Sequence, residues 1–134
     1  MKKIFSFLIV IIVISACSKN KNTDTEAIGT WKLVEQLMDP GDGSGIFVAV
    51  ESEKTITFLK KGKIESNGAL CSIDGQNETS SKGSYNVDDY TITIEDCFDG
   101  DQNSLTFNYE IVDSYLILTF QCIEGCQQKF VKED

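Results

Sequence analysis

Five cysteines, no histidine and an excess of carboxylates bound the chemistry open to this 134-residue chain. Without histidine there is no Ser-His-Asp or Cys-His nucleophile, no imidazole base, and no use of the commonest zinc ligand. Paired carboxylates can still hydrolyse a glycoside. Most acids here sit in turn-like stretches, however, where a solvated carboxylate is the ordinary occupant. The expectation is a protein that is not an enzyme and carries no cofactor. Two acidic stretches have ligand-like spacing. Asp99, Asp101, Asn103 and Glu110 fall at positions one, three, five and twelve of an EF-hand-like loop. Ser104 stands where the sharp turn needs glycine, and the residues up to Glu110 alternate as a strand, so this is a weak calcium candidate and no metal is expected. In Asp39-Pro-Gly-Asp-Gly-Ser-Gly45, the aspartates Asp39 and Asp42 could hold a cation or gate a ligand. The commoner explanation is a flexible turn with solvated acids.

The cysteines divide into one near the N-terminus, Cys17, and four in the body, Cys71, Cys97, Cys122 and Cys126. Upstream of Cys17 lie a basic start, Met1-Lys2-Lys3, and an apolar run from Ile4 to Ile14 broken only by Ser6. Charge, a short apolar core and small residues at a cut describe a secretory signal. The run is too short to cross a bilayer comfortably, which takes about 20 apolar residues. An exported small domain with an even cysteine set reads as disulfide-bonded. Ile123-Glu124-Gly125 forms a tight turn that would set Cys122 opposite Cys126, leaving Cys71 to pair with Cys97. Four cysteines allow three connectivities, and the other two stay open. A four-thiolate zinc site would be expected to show Cys-x-x-Cys knuckles, which are missing.

Ile14-Ser15-Ala16-Cys17 resembles the lipobox of bacterial lipoproteins. The resemblance implies a diacylglycerol on the Cys17 thiol, cleavage before Cys17, and anchoring by several acyl chains. Residues 1–16 would then be a signal peptide. Residues 17–27 would be a lipidated flexible tether, since Ser18 to Glu26 holds no aromatic or aliphatic residue. No acidic residue follows Cys17 directly, which in similar lipoproteins implies the outer membrane. The tether also lacks the dense acidic run that marks surface export, favouring the periplasmic face.

The elements that must position the remaining residues are strands. From Gly29 on, the apolar period is two. Trp31, Leu33 and Leu37 alternate with Lys32 and Gln36, blurred by Val34 and Glu35. Ile56 and Phe58 alternate with threonines, as do Ile92 and Ile94. Leu105, Phe107, Tyr109 and Ile111, then Leu116, Leu118 and Phe120, repeat the pattern. Turn residues separate the runs at Lys61-Gly62-Lys63, Asn67-Gly68, Asp88-Asp89, Asp99-Gly100-Asp101, Asp113-Ser114 and Glu124-Gly125. Residues 28–134 thus predict one all-β domain. About eight strands in an antiparallel up-and-down meander close naturally into a barrel, with a two-sheet β-sandwich as the alternative.

Gly29-Thr30-Trp31 resembles the Gly-x-Trp that opens lipocalins, whose tryptophan packs across the closed end of the barrel. The run from Ile28 to Glu35, with Lys54-Thr-Ile-Thr-Phe58 and Gly83-Ser-Tyr85, looks like the small lipocalin-like lipoproteins of Bacteroidetes-type bacteria. The resemblance implies a lipocalin-like barrel binding a small apolar or amphipathic ligand in the cell envelope. Trp31, Phe58, Tyr85, Phe107, Tyr109 and Phe120 are the aromatics able to line its pocket, and able equally to fill it. Lipocalins usually carry a C-terminal helix that this chain does not show, and a barrel of about eight short strands can fill its own interior. A filled-barrel interaction or inhibitor module without a small-molecule ligand is therefore the alternative. The net charge of −9 argues against nucleic acid as a partner. Replacing the thiol tests the anchor: Cys17→Ser is expected to abolish labelling by radioactive fatty acid and to release the protein from the membrane fraction.

Overall fold

The computed structural model describes residues 23–76, 79–99 and 102–134. The expected signal peptide, Cys17, the start of the tether and Asp101 lie outside the described residues. Period-two alternation yields β1 (Gly29–Met38), β2 (Val48–Ala49), β3 (Thr55–Leu59), β4 (Lys63–Ser66) and β5 (Ser81–Asn86). β6 (Thr91–Asp99), β7 (Gln102–Val112), β8 (Tyr115–Phe120) and β9 (Cys126–Lys132) follow. Every pairing is antiparallel: β1 pairs with β3, each later strand with the next, and β9 returns to β1. Eight strands thus close an up-and-down barrel, not a two-sheet sandwich, and β2 is an extra strand on the upper part of β1.

The two ends of the barrel differ. At one end the connections are tight. Asp113 and Ser114, at φ 51° and 68°, form the two-residue turn that joins β7 to β8. Positive φ at both central residues matches the twist of the flanking strands. A short helix, α1 (Thr23–Ala27), closes this end: Ala27 is buried, and Trp31 Nε1 donates to its carbonyl at 2.9 Å. These residues fall within the stretch expected to be a free tether. Composition misleads there because the large apolar surface comes from Trp31, and one alanine suffices to meet it. The opposite end, the mouth, gathers the long connections after β1, after β4 and after β8, together with both disulfides, Cys71–Cys97 and Cys122–Cys126.

Inward side chains fill the barrel. Phe58 packs on Tyr85 and Tyr109 with ring centroids 4.9 and 5.4 Å apart, and Phe107 stacks on Phe120 at 4.9 Å. One phase change matters. The β1–β9 register shifts between Leu33 and Glu35, so the strand carries a bulge there. Trp31 and Leu33 point inward below it. Above it Gln36 and Met38 take the inner face opposite Gln128 and Cys126. Leu37, expected inward with Leu33, is turned outward, and the blur at Val34 and Glu35 is the bulge itself.

Gly83 occupies an inward position of β5 opposite Ile94. A Cβ there would collide with the Thr93 carbonyl oxygen and lie 3.0 Å from Ile94 Cδ1. Gly83→Ala is therefore expected to destabilise the fold by about 1–3 kcal/mol through overpacking. Gly75→Ala, whose Cβ would meet nothing closer than 3.4 Å, should shift the urea midpoint little.

Candidate functional site

The alternation that turns Phe58 and Ile56 inward also carries Lys54 inward, just before β3 begins. The residue is fully buried. Its ammonium donates to Asp74 O at 2.5 Å, Ala69 O at 2.6 Å and Gln128 Oε1 at 3.1 Å, so all three donors are satisfied. No carboxylate makes a contact ion pair with it among the described residues. Burial lowers its pKa from 10.5 to about 8, against the opposing pull of the Asp74 charge. Holding the charged form closed at neutral pH thus costs on the order of 3 kcal/mol.

What Lys54 holds is the connection between β4 and β5, drawn down over the mouth. Gln128 Nε2 donates to Asp74 O at 3.2 Å, Gln36 Nε2 to Ile73 O at 3.1 Å, and Ser52 Oγ to Gly75 O at 2.5 Å. Leu70 is fully buried beneath this plug, its N–H bound to Ser81 Oγ. The Cys71–Cys97 disulfide ties the same segment to β6. Gly68 is required by crowding: a Cβ would lie 2.5 Å from Gln76 O and 2.7 Å from Lys54 Cγ.

A second loop flanks the plug. Asp39 accepts from the N–H groups of Gly41, Gly45 and Gly43 at 2.7, 2.8 and 3.0 Å. Asp42 accepts from the Ser44 hydroxyl and, at 2.9 Å, from the Ser44 N–H. These bonds hold both carboxyls below the usual range, Asp39 chiefly through the Gly45 N–H and Asp42 chiefly through the Ser44 hydroxyl. Both acids are thus occupied in shaping their own loop, which is bound to the β8–β9 turn by Asp39 N–H donating to Gly125 O at 2.8 Å. No cluster suited to a metal ion exists among the described residues. Glu110 sits on β7 opposite Ile117, while Asp99 ends β6. At roughly 3.3 Å per residue, β7 carries Glu110 away from the β6–β7 turn, so it does not fold back as a calcium loop requires.

The six aromatics named as pocket candidates all face the interior. Trp31, Phe58, Phe107, Tyr109, Phe120 and Tyr85 are at most 8% exposed, and they pack on one another and on aliphatic neighbours. Side chains bordering an interior space large enough for a ligand would retain accessible surface there. The most exposed apolar side chains lie at the rim instead. Above the bulge, β1 and β2 extend beyond the end of the β1–β3 pairing as a lip on which Met38, Ile46 and Val48 are more than half exposed. Ile123, in the β8–β9 turn, is fully exposed. Grooves of about 430 Å³ and 330 Å³ flank Met38, one toward Ile46 and Val48, the other toward Ile73 and Ile123.

Sequence reasoning missed Lys54, Gln128 and the lip. For Lys54 the signal existed, since period two extended from Phe58 through Ile56 reaches it. No known family model, curated protein or solved structure matches the chain.

Because Lys54 loses its proton more easily when folded, the unfolded chain binds more protons between about pH 8 and 10.5, and stability gains from this group as pH rises through that window. Relative to Lys54→Met, the parent protein should gain up to about 3 kcal/mol across it in urea titrations. The variant strands Ala69 O and Gln128 Oε1 and leaves Asp74 O with the Gln128 amide alone, so its amide exchange should quicken across residues 68–76.

Proposed function

We propose that this protein is an envelope interaction module: a filled β-barrel, lipid-tethered through Cys17, that offers its mouth to a protein partner. The observation that carries this reading is the distribution of apolar surface. Interior side chains are buried against one another, while the large apolar residues that are more than half exposed, Met38, Ile46, Val48 and Ile123, lie at the mouth. Leu59, Tyr90, Val112 and Tyr115, at the closed end, are 38–44% exposed. A small-molecule site normally encloses its ligand within roughly 300 Å³ or more of concave space. The spaces found here are open grooves on the rim.

Chain geometry supports the same reading. Residue 23 lies at the closed end, and β1 runs its full length before reaching the lip. Ten residues at about 3.3 Å each make β1 roughly 33 Å long, and a tilt of about 40° leaves roughly 25 Å between the two ends. A tether joined ahead of α1 therefore leaves the mouth pointing away from its anchor. The lipobox resemblance supplies the anchor, and the lack of histidine favours binding over catalysis.

Two measurements on the mature protein in its own envelope test this. Native mass spectrometry should show acyl chains on Cys17 and no small molecule released on denaturation. A photo-crosslinking side chain at Val48, on the lip, should capture a protein, whereas the same group at Val112, at the closed end, should not. A ligand freed from the barrel, or capture confined to Val112, would overturn the proposal.

A further inference from the structure

We infer that the open edge of β2 and the apolar lip beside it receive an extended, lysine- or arginine-bearing segment of the partner, which adds to the sheet as a further strand. The inference rests on the interaction reading above and names the chemistry of its partner.

β2 has one neighbour, β1, and the register Gln36↔Val48 and Glu35↔Ala49 together with Val50 N–H donating to Val34 O sets the hydrogen-bonding phase. Residues 34 and 50, and hence 36 and 48, form hydrogen-bonded pairs; Ala49 belongs to the alternate class, whose N–H and C=O point away from the neighbour. The backbone of Ala49 therefore faces the open side of the sheet, ready for another strand. Edge strands are ordinarily blunted with charge or proline. Here Ile46-Phe47-Val48-Ala49-Val50 holds neither. Beside that edge, the 430 Å³ groove between Met38, Ile46 and Val48 can take every second side chain of an added strand.

Charge selects the occupant. Asp39 and Glu124 line the 330 Å³ groove, while Asp42 lies in the loop whose Pro40, Ser44 and Gly45 line the 430 Å³ groove and Glu51 directly follows its Val50. No cation pairs with any of the four among the described residues. The nearby lysines are engaged elsewhere: Lys32 with Glu53, Lys129 with Glu35, and Lys54 under the plug. A second copy of this chain, net −9 over its whole length, would bring the same acidic rim against the first. A cationic strand meets neither obstacle.

The test uses the lipidated protein in phosphatidylcholine nanodiscs and a fluorescent peptide alternating lysine with valine, read by anisotropy against empty discs. Binding is expected, falling about tenfold or more when glutamate replaces lysine, when alternate peptide amides are N-methylated, or when Ala49→Pro removes the outward N–H. Added salt should weaken it, and Ile123→Ser should weaken it less than Val48→Ser. Circular dichroism identifies any variant that has simply unfolded; in that event the N-methylated peptide still reports on the edge. No binding at peptide concentrations on the order of 1 mM, equal binding of the glutamate peptide, or indifference to N-methylation would overturn the inference. So would a dimer by sedimentation that Ala49→Pro abolishes, since the occupant would then be a second copy. If Val48 still captures a protein while the peptide fails, strand addition is wrong and the interaction reading survives; failure of both removes both.

Discussion

Closure of the barrel through β1 is the constraint from which the rest of the structure descends. β1 pairs with β9 from Trp31 to Met38, but with β3 only from Gly29 to Lys32. The upper half of its other edge must therefore find a different neighbour or stay bare, and β2 covers just Glu35 and Gln36. The bulge at Val34 then turns Gln36 and Met38 onto the inner face at a height where β3 no longer pairs with β1. One mismatch in strand length produces the lip, its apolar inner face and the open edge beside it.

The same departure of β3 from β1 explains the buried lysine. Val50 and Leu33 remain bonded to the opposite strand through Val34 O and Lys54 O, so the chain between them bows outward and re-enters at Lys54. Lys54 is then the first inward residue at the mouth, where an apolar side chain would leave the carbonyl of Ala69 without a donor and that of Asp74 with the Gln128 amide alone. A buried charge costs several kcal/mol unless its protons find acceptors. Here two backbone carbonyls and one amide oxygen supply them, and the Cys71–Cys97 bridge lowers the entropy of the segment that carries both carbonyls. Removal of a well-satisfied buried group is more damaging than its net contribution suggests, because its partners stay behind. The mouth is thus plugged by polar bonds and the shaft by apolar packing.

Period two made the barrel legible. Phe58 and Ile56, Ile92 and Ile94, Leu116 and Leu118 lie on the inner face where alternation puts them, and the even cysteine set pairs as the Ile123-Glu124-Gly125 turn suggests. Alternation fails where the chain changes phase without a marker. Val34 is an ordinary β-former, and nothing in its type announces a bulge; Leu37 was misplaced for that reason. Lys54 was legible in principle, yet lysine is so rarely fully buried that composition argued the other way. The lip was hidden for a different reason. Ile46 to Val50 reads as a buried strand, and its exposure depends on how far β3 and β9 extend along β1, which is a tertiary fact. Asp39 reads as a solvated turn acid with a cation role as the rarer alternative, whereas it accepts from the amides of three glycines in its own loop.

An exposed apolar edge is a hazard for a protein crowded on a membrane, because edges of neighbouring copies can pair. Charge on the whole body offsets that hazard. At net −9, two copies approaching edge to edge bring Asp39, Asp42, Glu51 and Glu124 of each toward the other. The repulsion is longest in range where ionic strength is low, and within about 8 Å at physiological salt it still acts across a strand-to-strand contact. Blunting the edge with a lysine would remove the hazard for every partner alike. An acidic rim around an apolar edge removes it for identical and acidic partners only, and it leaves the edge open to a basic one. The arrangement discriminates by sign, which a packed, charge-free edge could not do.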